Sequence, residues 1–404
     1  MITELNHIAG HEDYPFFFRQ VLKIASRIHY GTLTFVLPSG KSLTFEGENE
    51  KDAKGVIYVK DFAFARRTIL GGDIGFFESY ADGQWDTPAL ADCLYIFARN
   101  AEFVQEAFGA SPLVDFFQNI RRAWDKNTKS GSKRNIAAHY DLGNSFYEKW
   151  LDTSMTYSSA KFDPQLADLT DAQINKYRSL ANAIDLKPGE HVLEIGSGWG
   201  GFAEFAAKDV GAKVTGLTIS PAQYDYSRER IFRQGLNDKV EFKLLDYRDV
   251  NDTFDKVASI EMFEAVGKEY WKTYFGKVRD ALKPGGIAGL QIITIADRFF
   301  DRYSKSTDFI QRYVFPGGIL PSDAILKSLV EKAGLTVRSA TAFGEDYART
   351  LHEWRKRFLS AWDEISPLGF DERFKKLWRF YLAYCEAGFK AGTTNVSQVA
   401  AQRV

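Results

Sequence analysis

The residues whose types and spacing can do chemistry gather first at Glu194-Ile195-Gly196-Ser197-Gly198-Trp199-Gly200-Gly201. The apolar run His191-Val192-Leu193 leads into this stretch and the helical pattern Phe202-Ala203-Glu204-Phe205-Ala206-Ala207 leaves it, the strand, tight turn and helix of a nucleotide-type crossing. Glycine is needed in such a turn because side chains would keep a ligand away from the backbone amides. Gly196, Gly198 and Gly201 satisfy G-x-G-x-x-G, so a dinucleotide is the first ligand to weigh. About 20 residues on, where a dinucleotide fold places its ribose acid, the chain reads Gly216-Leu217-Thr218-Ile219-Ser220 and offers no carboxylate. A dehydrogenase lacks its expected partner there.

The elements that position this turn follow from the pattern around it. Strands are expected at Lys213 to Leu217, Val240 to Leu244, Phe254 to Ile260 and Ile287 to Ile295, with helices between them. Ser220 and Pro221 read as cap and first residue of one helix, which Gly235 closes. The implied fold is α/β, a doubly wound and mostly parallel sheet with its ligand at the carboxyl ends of the strands. A strand over Thr336 to Ala342 and helices over Asp346 to Trp362 and Asp371 to Lys390 complete it, and the last ten or so residues read as polar and frayed.

Ahead of this core stands a smaller α+β domain, residues 1–120. It has a helix near Phe16 to Ala25, a hairpin over Gly31 to Phe45, a strand at Gly55 to Val59, a helix over Phe62 to Leu70 and an irregular glycine-bearing segment from Gly71 to Trp85. Residues 121–135 are rich in Lys, Arg, Ser and Gly and read as a linker, with a basic patch for anionic lipid headgroups as the sharper reading. The catalytic domain is expected over 136–395, with a lid-like insertion near 297–323 around Tyr313 to Pro321.

Composition bounds the partners. The 404 residues carry a formal charge of −1, which argues against nucleic acid. Cys93 and Cys385 are isolated, so a reducing cytosol and no structural zinc are expected. The start of the chain shows no signal-peptide pattern and no apolar run of about 18 residues is present, which leaves peripheral contact with a membrane, expected at its inner face.

Glu194, two residues before the first glycine, gives Glu-x-Gly-x-Gly-x-Gly, which resembles the first motif of class I S-adenosylmethionine (SAM) methyltransferases. His139-Tyr140-Asp141-Leu142-Gly143-Asn144, Tyr157-Ser158, Thr218-x-Ser220-x-x-Gln223, Glu261-Met262-Phe263-Glu264-Ala265-Val266-Gly267, Phe315-Pro316-Gly317-Gly318 and Gly344-Glu345-Asp346-Tyr347 extend the likeness. In order over almost the whole chain they resemble the cyclopropane-fatty-acyl-phospholipid synthase family. The resemblance implies a SAM-dependent enzyme acting on the double bond of an acyl chain, often in phospholipid, with the small N-terminal domain docking on the bilayer and a homodimer as the expected assembly.

It also implies roles. Tyr157 and Ser158 would meet the methionine end of SAM, Glu194, Gly196, Gly198 and Gly200 would form its loop, Thr218 and Gln223 would replace the ribose acid, and Asp246 and Tyr247 would flank the adenine. The family's base is a bicarbonate held by a Cys, a Glu, a His, a Tyr and a backbone amide. Here Glu264, Tyr347 and the amide of Ile293 match, whereas Ser159 stands for the Cys, Gln291 for the His, and Ala265 for the His that follows the Glu. An anion held by Ser159, Glu264, Gln291 and Tyr347 would give a cyclopropane; without it, the cation would resolve to a methyl-branched or methylene chain. The rival readings are an amine methyltransferase and a non-catalytic lipid-binding relic.

Overall fold

The structure is a computed structural model that describes residues 13–103, 142–165 and 168–404. The linker 121–135, its basic cluster and the motif residues His139, Tyr140 and Asp141 lie outside the described residues. The chain forms two compact units. One comprises Met1–His139, Lys305–Pro316 and Ser366–Thr393, the other Tyr140–Ser304, Gly317–Ile365 and Thr394–Val404. These bounds differ from the expected division at 120 and 395, because two later segments return to the first unit and the last one enters the second.

The first unit holds a four-stranded sheet in the order β2-β1-β3-β4, with β1 at Tyr30–Val36, β2 at Ser42–Glu46, β3 at Asn49–Val59 and β4 at Trp85–Asp86. Alternation along β2 points Leu43 and Phe45 inward, where Phe18, Phe35 and Phe45 pack edge to face. The expected irregular segment from Gly71 is instead mostly helical. Helix Ala63–Ala81 breaks only at Gly72, whose φ of 59° and ψ of −141° suit glycine alone. Beyond the break Ile74, Phe76, Phe77 and Tyr80 are buried, and Phe76 stacks on Trp85 at 4.2 Å, so packing outweighs the low helix propensity of the glycines.

Of the segment 297–323 expected as a lid, Lys305–Pro316 is part of this unit. Residues Phe309–Tyr313 form a helical turn with Phe309 fully buried between Phe77 and Phe380, at 4.7 and 4.9 Å between ring centres. The amide of Phe309 donates to Asp73 at 2.9 Å. Burial of one such ring is worth about 2 to 3 kcal/mol, which fixes the segment in place.

The second unit is a seven-stranded sheet ordered β10-β11-β9-β8-β5-β6-β7. Strands β5 (His191–Ile195), β6 (Lys213–Thr218), β7 (Val240–Leu244), β8 (Phe254–Ile260) and β9 (Leu282–Ile295) run parallel. Their centres are near-continuous apolar runs because helices cover both faces. The order reverses between β5 and β8, so the turn after β5 lies at the switch point.

The terminal residues correct the sequence reading most. Thr394–Arg403 is strand β11, antiparallel between β9 and β10 (Leu335–Ala342). It looks polar because Ser397 and Gln398 are buried in it, yet Val396, Val399, Ala400 and Ala401 supply an apolar interior. The Gln398 side-chain nitrogen is satisfied internally, donating to the Lys176 carbonyl at 3.0 Å and to Gln291 at 3.1 Å.

Candidate active site

The glycine turn leaves β5 with Gly196, Gly198 and Gly200 at φ of 82°, 52° and 83°. The amides of Gly196 and Ser197 both donate to the Leu217 carbonyl, at 3.1 and 2.8 Å, which pins the turn to the end of β6. The three glycines differ in what surrounds them. A Cβ on Gly198 would meet open space, whereas one on Gly196 would strike Met262 at 2.7 Å and one on Gly200 would press on Phe242 and Ser227 at 3.0 Å. Gly198 therefore opens a cradle, while Gly200 serves close packing. Asn144 braces the turn by accepting from the Trp199 indole at 2.8 Å and donating to the Ala222 carbonyl at 3.3 Å.

At the root of the turn Glu194 is buried, and its Oε2 has no hydrogen-bond partner among the described residues. Burial raises its carboxyl well above the usual range, opposed by the charges of Lys176 and Arg230. An orphaned acid beneath an open glycine cradle fits a ligand that brings hydrogen-bond donors.

Thr218 is buried at the end of β6, where its hydroxyl donates to Gln223 at 2.8 Å and accepts from the Ser220 amide at 3.1 Å. Asp246 caps a short helical turn and pairs with Arg248 at 2.7 Å, which lowers its carboxyl pKa. Tyr247 beside it packs edge-on against Tyr274. Tyr157 lies among Tyr147, Trp150 and Trp354, with centroids 5.3 to 5.7 Å away. Ser158 accepts from Lys176 at 2.6 Å, and its carbonyl accepts from Gln173 at 2.9 Å.

The structure brings Ser159, Gln291 and Tyr347 together, but around a residue that the sequence reading left without a role. Glu261 accepts from the Ser159 amide at 2.8 Å, from the Gln291 side-chain amide at 2.8 Å and from the Tyr347 hydroxyl at 2.6 Å. The Ser159 hydroxyl instead donates to the Ala160 carbonyl at 2.8 Å. Glu264 stands apart from these three: its Oε1 accepts from the Ile293 amide at 2.5 Å, and its Oε2 has no partner among the described residues. The Gln291 and Tyr347 donors expected at a free anion thus close on a protein carboxylate together with the Ser159 backbone amide, while the Ile293 amide is taken by Glu264. Glu261 follows β8 at the carboxyl edge of the sheet, and this position is the signal that could have found it. It sits at φ of 51°, a left-handed conformation that costs a non-glycine residue about 1 to 2 kcal/mol.

Charge is divided unevenly here. Burial raises the pKa of both glutamates, and Glu264 is pushed up to about 8, first by burial and then by the neighbouring charge of Glu261. Tyr347, Lys176, Gln291 and Ser159 all favour ionised Glu261. Of the two, Glu261 has the partners that favour charge and Glu264 is the one that holds a proton more readily. Lys176, fully buried, is driven down to about 7 by desolvation against the pull of Glu261, Asp152 and Glu194.

A parallel sheet finished by an antiparallel strand, with a glycine turn at the switch point and no ribose acid after it, defines a class I SAM-dependent methyltransferase. The profile of the mycolic acid cyclopropane synthetase family matches residues 127–399, and the chain belongs to that family together with the cyclopropane-fatty-acyl-phospholipid synthases. It is 37% identical to the tuberculostearic acid methyltransferase of Mycobacterium tuberculosis over 88% of this chain and 84% of that one. It is 36% identical to the cyclopropane-fatty-acyl-phospholipid synthase of Escherichia coli over 86% and 87%. Among solved structures, the cyclopropane synthase MmaA2 from Mycobacterium tuberculosis aligns with a TM-score of 0.62 at 27% identity, covering 67% of this chain and 97% of that one. The mycolic acid cyclopropane synthase CmaA1, complexed with S-adenosylhomocysteine, gives the same TM-score and coverage at 28% identity. The chain is a SAM-dependent methyltransferase of a lipid-modifying family. Among the described residues no helix is long and apolar enough to cross a membrane.

Proposed function

We propose that this enzyme transfers a methyl carbon from SAM to the double bond of an unsaturated fatty acyl chain and finishes without ring closure, leaving a methylene-bearing open chain. The observation that carries this reading is the closure of Ser159, Gln291 and Tyr347 on Glu261. Their donors are engaged by a carboxylate fixed to the backbone, and a second anion beside it would meet like charge. The relative whose name is tuberculostearic acid methyltransferase supports transfer of a carbon without ring closure, though its named product is a methyl-branched rather than a methylene-bearing chain.

Gly196 and Gly198 would hold SAM at the turn with Glu194 beneath, Tyr157 and Ser158 at its methionine end, Thr218 and Gln223 at its ribose, and Asp246 and Tyr247 by its adenine. Bound SAM supplies an electrophilic methyl on a sulfonium. The aromatic group of Tyr147, Trp150, Tyr157 and Trp354 lowers the local polarity and presents ring faces that favour positive charge. A weakly nucleophilic alkene needs this dry alignment. A phospholipid is the proposed acyl carrier, met at the membrane surface; the exposed Phe16 on helix Phe16–Ala25 supports such contact.

Cyclopropane formation is the second reading, favoured by the same Glu261, since a carboxylate in that place can also accept the proton that ring closure releases. The experiment is gas chromatography with mass spectrometry on lipids from cells expressing the protein and fed methyl-deuterated methionine, before and after mild hydrogenation. A labelled product that keeps two deuterons and takes up hydrogen supports the open chain. A product that keeps two deuterons and resists hydrogenation selects the ring, one that keeps three is a methyl branch and overturns both, and no labelled lipid defeats both.

A further inference from the structure

The carboxylate of Glu261 is held by donors from three separate parts of the second unit. Ser159 belongs to the segment that follows Tyr157 and Ser158, Gln291 lies on β9, and Tyr347 starts helix Gly344–Ser360. Glu261 is a non-glycine residue in the left-handed region, and such conformations persist where the surroundings over-determine them, often at functional sites. The next residue, Met262, packs where a Cβ on Gly196 would stand, so Glu261 is one residue from the wall of the glycine cradle. Ser159 and Gln291 are fully buried, and the Glu261 carboxylate they hold lies in the same interior.

A purely structural carboxylate needs no strained backbone. Burial raises the pKa of this group, and the three donors and the charge of Lys176 oppose that rise by favouring its ionised form. Glu264, with one donor and an unpartnered oxygen, is the protonated member of the pair.

We propose that Glu261 is the resident general base, taking a proton from the methyl group newly joined to the acyl chain. This rests on the C-methylation reading above. In the step, the alkene π pair forms the bond to the methyl carbon and the S–C bond breaks, its electrons leaving on the sulfur of S-adenosylhomocysteine. A hydride shift moves the cation onto the methyl-bearing carbon. A C–H pair of the methyl then becomes the second bond of the methylene, and its proton passes to Glu261 Oε, which later releases it to water. In ring closure the same C–H pair would form the third ring bond and the same proton would go to Glu261.

The test uses the full chain with unsaturated phospholipid vesicles, in buffer freed of carbon dioxide. Wild-type protein should turn over there and show no gain on adding bicarbonate. Glu261→Gln keeps the shape and part of the hydrogen bonding and should lose about 10²- to 10⁴-fold in turnover with SAM affinity unchanged by calorimetry. Glu261→Gly relieves the backbone and leaves the three donors facing a gap; formate or bicarbonate should bind there, raise its melting temperature and restore turnover in a saturable way. The proposal is overturned if Glu261→Gln turns over like wild type, or if wild type stops without bicarbonate, since the base is then a separate anion. Should Glu261→Gln fail to bind SAM, Glu261→Gly decides: no rescue by formate in a SAM-binding protein overturns it. Absence of labelled lipid from wild type defeats the C-methylation reading itself, and the base assignment with it.

Discussion

Gln398 on β11 lies opposite Gln291 on β9, and its side-chain amide donates to the Gln291 side-chain oxygen at 3.1 Å. The other end of Gln291 donates to Glu261. The strand nearest the chain's end is thus two hydrogen bonds from the candidate base.

Ending the chain at Thr393 should therefore abolish more than stability. It removes the strand between β9 and β10 and leaves both edges unpaired. The expected outcome is aggregated protein. A milder change, Gln398→Leu, should keep the fold and lower turnover by loosening Gln291; equal turnover in the two proteins would refute the link.

Gly198→Val and Gly196→Val should fail for different reasons. At Gly198 the new side chain enters open space within the cradle, so SAM affinity should drop at least about 100-fold with the fold retained. At Gly196 it strikes Met262, and the loss should appear first as a lower melting temperature. Calorimetry and thermal denaturation separate the two, and unchanged SAM affinity in Gly198→Val would refute the placement.

Glu264 gives a pH signature whose sign is fixed by its raised pKa. An unfolded carboxyl titrates near 4.5 and the folded one at about 8. Within that window the native state keeps a proton that the unfolded chain releases. The contribution is fully present below the window and lost as pH rises through it. Glu264→Gln removes the loss, so its stability against urea should gain on wild type as pH climbs from the lower value to the upper. Parallel curves would mean that Glu264 is not protonated in the folded protein. Its turnover should fall, with SAM affinity nearly intact.

Lys176→Met should destabilise by about 3 kcal/mol, because Glu194 and Glu261 lose their buried counter-charge. Urea denaturation near neutral pH measures it. A stable variant would show that protons already neutralise those acids.

The parallel strands and the glycine turn were legible in sequence because each is an apolar run ended by turn residues, and helix ends such as Ser220-Pro221 follow local rules. Two features were not. Strand β11 hides behind Ser397 and Gln398, whose burial is tolerated only through partners distant in sequence. Glu261 stands three residues before the Glu that the family pattern picks out, and only the folded chain shows that Tyr347 reaches the nearer acid. Spacing identifies which residues are present; donor geometry decides which one they serve.

Interleaved segments also set the order in which this protein can be made. Strand β9 ends at Ile295 and β11 begins at Thr394, so about 100 residues of synthesis separate them, some 5 to 20 seconds at ~5–20 residues per second. During that interval the nascent sheet has β9 as an open apolar edge, and the first unit awaits helix Glu372–Lys390. Folding on the ribosome should stall late for both units at once, which makes the growing chain a client for holding chaperones and makes its yield sensitive to translation speed.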